Sequence, residues 1–406
     1  MSEIVDVYAR ELLDSLGEPA VEVEVVLADG SSGRSVVSTP EVAVHVGLIA
    51  GTVSAADFVN RQCAEAVKGM EASDQRGVDH ELERRMGTLD RGLGLIAATR
   101  AVSLAIARAA AQSCRMELFT YLGGAFAQTL PIPVVSVVDS SACEFDPAFR
   151  ELGLVFLGPT SYGEALRWGV EVHRAMRDLL ARHDVNAAFS PKGTFSLNLA
   201  SCAEGLDCLD AACRQAGLRP GVDVLYVVDA GAQRFYDADM QLYEIEGGSL
   251  TRSQLVGLWE DLVVQCPIGF IKDGVAEADA GALREFAQAM GERVRVLNTD
   301  IPANRVLVDI VSLCLEDVPT LSAFFENVEC ARRRGMLVSV RLGEHETEDS
   351  FAADLAVAAG ASLVEFGAPV GGERIAKYNE LLRIEDELLP GGGYAGSDAF
   401  GLARSC

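Results

Sequence analysis

Residues 267–274 read Pro-Ile-Gly-Phe-Ile-Lys-Asp-Gly, an apolar run that stops abruptly at Lys272, Asp273 and Gly274. A strand that ends in charged residues and a glycine is typical of the catalytic face of a βα barrel, where the carboxyl ends of the strands carry the functional side chains. The second half of the chain contains a series of such strand ends. This stretch therefore predicts the fold of that half and makes Lys272 the first candidate functional residue.

From residue 129 onward, β-like runs alternate with helical patterns. The predicted strands are Val134–Val138, Leu152–Leu157, Phe195–Asn198, Val222–Asp229, Ile268–Lys272, Val294–Leu297, Arg305–Leu315, Leu337–Arg341 and Leu363–Glu365. Helical patterns over residues 162–182, 203–216 and 251–265 separate some of them. Alternating βα units in this number predict a closed parallel barrel over residues 129–406. Its Gly-rich end, residues 389–406, is expected to wrap over the surface.

The preceding part, residues 1–128, predicts a smaller α+β domain. Residues 4–10 and 20–28 have strand patterns, and the second alternates apolar and acidic residues with a period of two. Asp29-Gly30 predicts a hairpin turn with a return strand over residues 33–38. Helices are expected over residues 55–70, 80–86 and 95–113, and the last of these carries an alanine-rich apolar stripe.

Composition excludes several classes of function. The chain has 406 residues and a net charge of −26, which argues against nucleic acid or an anionic membrane surface as a partner. No run of 18 apolar residues predicts a membrane span, and early charges such as Glu3 and Asp6 argue against a signal peptide. The ten cysteines form no CxxC pair, so we expect reduced, buried thiols and a cytoplasmic protein.

Lysine is rare in this chain. Of 34 basic residues, only four are lysines, namely Lys68, Lys192, Lys272 and Lys377. Because arginine is the default cation here, a lysine at a predicted strand end is informative.

Several stretches resemble the enolase family. They are residues 10–22 (Arg-Glu-Leu-Leu-Asp-Ser-Leu-Gly-Glu-Pro-Ala-Val-Glu), 100–107, 229–230, 235–236, 346–349 and 376–385. The resemblance runs nearly end to end. It implies an α/β fold in which an α+β capping domain precedes a modified eight-stranded βα barrel of enolase type. It also implies a homodimer, with Arg10, Glu22 and Arg383 at positions that form intersubunit ion pairs in the family.

The family's catalytic residues are mostly absent. Enolases dehydrate 2-phosphoglycerate with a lysine base, a glutamate acid and Mg²⁺ held by three carboxylates. The resemblance places Asp229 at the first of these carboxylates, Lys272 at the second and Thr299 at the third. It places Cys314 at the base and Lys192 at the acid.

The substrate-binding positions have changed as well. The resemblance places Phe145 at a histidine, Leu154 at a second glutamate, Glu365 at a lysine and Val42 near a loop serine. The His-Arg-Ser triplet becomes Leu342-Gly343-Glu344.

These exchanges predict the loss of Mg²⁺ and of phosphopyruvate hydratase activity. A Mg²⁺ site needs hard anionic oxygens in a near-octahedral array, and an ammonium close to the ion repels it. Asp300 could substitute as a ligand, but a shift of one residue along a strand turns a side chain to the other face. Glu344 and Glu365 would also repel a phosphate group. We therefore expect no metal cofactor.

One interpretation is a repurposed enzyme, such as a metal-independent lyase or isomerase that acts on a small polar or carboxylate substrate. Lys192 and Lys272 would supply acid/base chemistry, since a desolvated lysine beside another cation has a lowered pKa. The candidate catalytic residues are Lys192, Lys272, Asp229 and Cys314, although a buried, inert thiol is the preferred interpretation of Cys314. The candidate substrate-binding residues are Glu344, Glu365, Arg341 and His345. For the last two, a plain salt bridge and a solvated loop histidine are the alternatives.

The alternative is a catalytically inactive pseudoenolase that serves as a dimeric scaffold or regulatory partner. An Asp229–Lys272 ion pair would then replace the charge of the lost cation. Lys192 would pair with Glu365 or Glu344 in the same sense. His45 lies in the loop that closes enolases, but that loop lacks the family's flexible sequence. The sequence leaves both interpretations open.

Overall fold

The computed structural model describes residues 2–39, 54–87, 93–144, 146–279, 281–299, 301, 308–388, 393–394 and 396. The predictions made for Val42, His45, Phe145 and Asp300, and most of the predicted tail at residues 389–406, lie outside these ranges.

The first domain is an α+β cap, as the sequence predicts. Strands β1 (Ile4–Leu13), β2 (Pro19–Leu27) and β3 (Ser32–Ser38) form an antiparallel sheet in the order β1-β2-β3. Its described helical segments are Ala55–Phe58, the π-helix Val59–Cys63, Ala64–Val67, Gln75–Met86, Leu93–Cys114, Leu118–Gly123 and the 3₁₀ turn Gly124–Phe126.

The helix Leu93–Cys114 forms the centre of the cap. Its segment Gly94–Cys114 is long and apolar enough to cross a membrane, but 83% of its most apolar window is buried, which identifies it as a core helix. It packs against β2 and β3, and at Gly33 the approach is so close that a Cβ atom would overlap the backbone of Ala105 and Ala109. The small residues therefore set the distance between the helix and the sheet.

The second domain is an eight-stranded barrel. Its strands are β5 (Ile132–Asp139), β6 (Glu151–Phe156), β9 (Val224–Asp229), β13 (Ile268–Lys272), β14 (Arg295–Asn298), β15 (Ile310–Cys314), β16 (Leu337–Arg341) and β17 (Leu363–Gly367). They pair in this order, and β17 closes the ring by pairing with β5. The expected fold, a capping domain followed by an enolase-type barrel, is confirmed.

The prediction of an all-parallel barrel is wrong at one strand. β6 runs antiparallel to both of its neighbours, β5 and β9. No helix occurs among the described residues between β5 and β6, and a parallel return requires a longer crossover. The first residue of β6, Glu151, consequently lies beside Asp139 and Asp229 at the end of the barrel where the other strands finish.

The remaining strands lie outside the ring. β7 (Ala188–Phe189) and β8 (Phe195–Ser196) form a hairpin that attaches to β5, so the predicted strand at residues 195–198 is not a barrel strand. β10 (Tyr236–Asp237), β11 (Leu242–Ile245) and β12 (Gly248–Leu250) form a small sheet. β4 (Thr129–Leu130) pairs with β18 (Gly393–Tyr394).

Helices surround the barrel strands. They are Tyr162–Arg182, Cys202–Gln215, Arg252–Gln265, Ala282–Met290, Leu321–Arg333, Phe351–Ala358 and Gly372–Leu388, with 3₁₀ turns at Ala232–Phe235 and Leu315–Asp317. Several begin at a side-chain cap: the hydroxyls of Ser161, Ser201 and Thr320 accept hydrogen bonds from backbone N–H groups three residues later. Such caps satisfy N–H groups that have no partner within the helix.

Gly33→Ala tests the packing of the cap. We expect the substitution to lower the free energy of unfolding by about 1–3 kcal/mol, because the added methyl group overlaps the backbone of the core helix. Gly257→Ala, in the helix Arg252–Gln265, is the matched control: a Cβ there meets no neighbour, so helix propensity should stabilise it by up to about 1 kcal/mol. Chemical denaturation measures both. Equal effects of the two substitutions would contradict the packing argument.

Candidate functional site

A polar cavity lies at the carboxyl ends of the barrel strands. Its volume is about 220 Å³, and it is lined by Arg150, Glu151, Lys192, Asp229, Lys272, Arg341, Leu342, Gly343, Glu344, Glu365 and Gly367. Six of the eight sequence-predicted catalytic and substrate-binding residues therefore meet in one place. Cys314 and His345 do not line it.

Lys272 lies at the base of this cavity in a buried ion triad with two carboxylates. Its Nζ is 2.7 Å from Oε2 of Glu365 and 3.5 Å from Oδ2 of Asp229. The Lys272 side chain is 3% exposed. β13 carries Lys272 directly beside Asp229 of β9 in the parallel register, whereas Glu365 reaches it from β17 across the barrel.

The triad holds Lys272 in its charged form. Burial alone would lower the pKa of Lys272, but the carboxylates of Glu365 and Asp229 raise it above its ordinary value. The expectation that Lys272 has a lowered pKa, and so acts as a base, is therefore wrong for the resting site. Lys272 is a fixed cation.

Asp229 contacts two cations, Lys272 and Arg150, through the same carboxylate oxygen. Its Oδ2 accepts a hydrogen bond from Nη2 of Arg150 at 2.6 Å, and its Oδ1 is buried with no hydrogen-bond partner. Burial raises the pKa of Asp229, but the charges of Lys272 and Arg150 outweigh it and hold the pKa well below its usual range. Asp229 is therefore an anion throughout the physiological pH range.

Glu365 has partners for both oxygens. Oε2 accepts from Lys272, and Oε1 accepts from the hydroxyls of Ser312 and Ser339, each at 2.6 Å. Burial raises the pKa of Glu365, but Lys272 and the two hydroxyls lower it below its ordinary value. A buried carboxylate with all of these partners is a structural anchor rather than a free acid or base.

Lys192 occupies a different place from the one predicted. It lies in the turn between β7 and β8 rather than at the end of a barrel strand. Its Nζ is 2.8 Å from Oε2 of Glu151, so the expected pairing with Glu365 or Glu344 is wrong. Backbone hydrogen bonding fixes the turn, since Ala368 N–H donates to the Lys192 carbonyl at 2.9 Å.

Sequence reasoning missed two charged cavity residues, Arg150 and Glu151. It placed Leu154 at the second glutamate position, but Leu154 is fully buried in the core beside the barrel. Because β6 runs antiparallel, its first residue rather than its middle reaches the cavity. The sequence does show these two charged residues immediately before a predicted strand. Whether they face the cavity depends on the direction of that strand, which the sequence pattern does not specify.

The donor set at the predicted metal position does not fit Mg²⁺. The Lys272 ammonium lies within 3.5 Å of Asp229 Oδ2, and Arg150 already binds that oxygen. Thr299 is engaged elsewhere, because its hydroxyl and its N–H donate to Asp273 at 2.5 and 2.9 Å. Among the residues described, no three histidine, cysteine, aspartate or glutamate side chains converge in a way that could hold a metal ion. Two fixed cations beside one carboxylate would repel a divalent ion.

Cys314 ends β15 but its thiol is buried. Desolvation raises the pKa of Cys314 to about 12. A reactive cysteine needs a stabilised thiolate and solvent access, and Cys314 has neither. This environment favours the inert thiol over the nucleophile.

Arg341 and His345 differ in their relation to the cavity. Arg341 lines the cavity, and its Nη2 also donates to Asp317 at 2.7 Å. The side chain therefore forms a salt bridge and at the same time part of the cavity wall. His345 does not line this cavity but lines a second cleft, and it is not a solvated loop histidine. Its Nδ1 is 3.0 Å from Oδ2 of Asp14, which joins the barrel to the cap.

A second, smaller cleft lies between cap and barrel, next to this His345 contact. Its volume is about 60 Å³, and Glu316, Glu346, Arg100 and Lys377 are among its lining residues. Burial, followed by the neighbouring Glu346, raises the pKa of Glu316 to about 7, and the opposing charges of Arg100 and Arg341 do not offset this. Glu346 is held by Lys377 at 2.7 Å.

The residues predicted at the dimer interface pair within their own chain. Arg10 Nε is 2.9 Å from Oε1 of Glu22, which lies opposite it on β2. Arg383 pairs with Glu380 on the same helix. The homodimer stays a prediction.

Restoring the family's charges tests the ion triad. By the resemblance, Lys272 and Glu365 stand at a glutamate and a lysine position, and the structure places them in contact. Lys272→Glu should cost about 3–5 kcal/mol of unfolding free energy, because it gathers three carboxylates and leaves only Arg150, bound to Asp229, to compensate them. Adding Glu365→Lys should recover most of that loss in chemical denaturation.

Lys68→Glu is the matched control for the charge exchange. Lys68 pairs with Asp6 on the surface and is 46% exposed, so its substitution should cost less than about 1 kcal/mol. A double variant no more stable than Lys272→Glu alone would show that the two residues are not coupled.

The raised pKa of Glu316 predicts that the stability of the protein depends on pH. Its pKa is about 7 in the folded protein against 4.5 for the ordinary group, so the folded state binds the extra proton between these values. Stability from this group is complete below about pH 4.5 and is lost as the pH rises through about 7. Glu316→Gln should therefore stabilise the protein more at about pH 8 than at about pH 5.

Denaturation at several pH values measures this difference, with Glu348→Gln as an exposed control. The assignment fails if Glu316→Gln changes the stability equally at both ends of the range.

The chain can be compared with known proteins. The family model for the enolase N-terminal domain matches residues 4–122, and the one for the enolase C-terminal TIM barrel domain matches residues 127–402. An enolase from Corynebacterium kroppenstedtii is 34% identical over 427 aligned positions, which cover 98% of this chain and 99% of that enolase. The chain belongs to the enolase family.

Proposed function

We propose that this enolase-family protein does not dehydrate 2-phosphoglycerate and is instead a metal-independent lyase or isomerase acting on a small carboxylate substrate. The observation that carries the proposal is the cavity of about 220 Å³, which stays open and polar above the buried ion triad. A vacated site kept only for stability would favour apolar side chains that fill the space. This site instead keeps eight charged side chains on its walls.

Lys272 stabilises the negative charge that develops on the substrate. Removing a proton next to a carboxylate places negative charge on the substrate, and a preorganised cation stabilises that charge best where water is excluded. Lys272 is buried, held by Glu365 and Asp229, and charged, so it needs no reorganisation to do this. Arg150, whose side chain is 43% exposed, offers a second cation nearer to the opening.

Lys192 and Glu151 form the proton-transfer pair. Their contact at 2.8 Å joins an ammonium to a carboxylate whose other oxygen accepts from the hydroxyl of Ser136. The Glu151 carboxylate can accept a proton from a substrate carbon, and the Lys192 ammonium can donate a proton to the product, so the pair supplies both a base and an acid. Both side chains are partly exposed, at 19% and 14%, so a ligand in the cavity can reach them.

The second candidate is the pseudoenolase scaffold, and one observation favours it. Lys192 and Lys272 both form ion pairs with carboxylates of the chain itself, as expected if they only repair a lost metal site. The two candidates differ in one measurable respect, which is whether the cavity exchanges a substrate proton.

We also propose that the protein acts in the cytoplasm as a homodimer. Nine cysteines among the described residues are free thiols, in keeping with a reducing compartment. The outer face of the cap sheet carries the ion pairs of Arg10 and Arg34 with Glu22 and Glu24, a charged surface suited to a polar interface.

Proton exchange tests the enzymatic proposal without a known product. A panel of small carboxylic acids is incubated with the protein in D₂O containing EDTA, and NMR follows deuterium at the carbon next to the carboxylate. We expect at least one acid to exchange, and Lys192→Ala to slow that exchange by about 100-fold or more. Lys68→Ala, which removes a surface lysine, should leave the rate unchanged.

Two results would overturn the proposal. No exchange with any acid, in a protein of native stability, would favour the scaffold. Phosphoenolpyruvate formed from 2-phosphoglycerate on adding Mg²⁺ would show that Lys272 does not prevent the family's reaction.

A further inference from the structure

The charges on the cavity wall can be paired, and two are left over. Lys272 pairs with Glu365, Lys192 with Glu151 and Arg150 with Asp229. Of the eight charged residues that line the cavity, this leaves Arg341 and Glu344. They are a cation and an anion three residues apart. Arg341 is the last residue of β16, and Glu344 lies in the loop after it.

Neither of the two is neutralised inside the cavity. The partner of Arg341 is Asp317, which does not line the cavity and is 56% exposed, so this contact is a weak surface pair. The Nε of Arg341 is also buried with no hydrogen-bond partner. Glu344 is exposed, and among the described residues its carboxylate forms no ion pair.

We propose that the cavity binds a zwitterion, a small α-amino acid whose carboxylate lies on Arg341 and whose ammonium group lies on Glu344. This inference rests on the proposed function only in using the same cavity. A simple anion would neutralise Arg341 but would meet the uncompensated Glu344, and a simple cation would face the reverse problem. A molecule that carries both charges on neighbouring atoms satisfies both residues at once.

The size of the cavity limits this ligand. At about 220 Å³ the cavity is smaller than the roughly 300–1,000 Å³ of pockets for drug-sized ligands, which suits a small molecule such as an amino acid. An amino acid also places the hydrogen on its central carbon next to the carboxylate. That is the hydrogen that the Lys192–Glu151 pair would remove.

Three closely related probes separate the charges. L-Alanine carries both, L-lactate replaces the ammonium by a hydroxyl, and ethylamine lacks the carboxylate. Their binding to the full-length protein is measured by saturation-transfer NMR at neutral pH. We expect alanine to bind at least about tenfold more tightly than either of the other probes.

Two substitutions assign the ends of the ligand. Glu344→Gln should reduce the affinity for alanine to that for lactate, and Arg341→Gln should weaken both. Glu348→Gln, an exposed neutralisation of the same type that does not line the cavity, should change neither affinity. A thermal melt of each variant verifies that it is folded.

The outcomes separate this inference from the proposed function. Lactate binding as tightly as alanine, no binding of alanine, or unchanged selectivity in Glu344→Gln would overturn the zwitterion site. Selective binding of alanine without exchange of any carbon-bound proton would leave the zwitterion site standing and refute the lyase or isomerase. Exchange confined to acids without an amino group would leave the lyase or isomerase standing and refute the zwitterion site.

Discussion

The buried ammonium of Lys272 is the constraint on which the rest of the site depends. A lysine that is 3% exposed must be compensated, and Glu365 and Asp229 provide the charge. Each of these carboxylates needs further donors, which come from Ser312 and Ser339 for Glu365 and from Arg150 for Asp229. One cation thus determines the residues required on five strands or strand ends around the barrel.

The same constraint divides the roles in the cavity. Lys272 is charged and held on two sides, so it can stabilise negative charge but does not take up a proton. The groups that the proposed reaction and ligand would use are more accessible: Lys192 and Glu151 are partly exposed, and Arg341 and Glu344 line the same cavity. The site therefore combines a buried, rigid cation with more accessible charged groups.

The fold does not depend on the charged residues at the strand ends, because the stability of the barrel comes from its apolar cores. Its cores are built from buried apolar side chains of the strands and surrounding helices, such as Val228, Ile271 and Trp259, and none of these depends on a bound metal. Cap and barrel are joined by separate contacts, including the bidentate Arg108–Asp349 pair and the His345–Asp14 contact. A family can therefore keep its architecture while the charges at the strand ends are exchanged.

The sequence by itself determined the periodic elements. Strand Ile268–Lys272 and helix Tyr162–Arg182 are found at their predicted limits, because periodicity and cap residues are local signals. The resemblance to enolases also implied that Lys272 and Glu365 stand at a glutamate and a lysine position of the family. Only the tertiary structure decided that these two residues touch, that β6 runs antiparallel and brings Glu151 to Lys192, and that Lys272 stays charged. The reason is physical: pairing across a barrel joins residues far apart in sequence, and the pKa of a buried group depends on neighbours that no local pattern specifies.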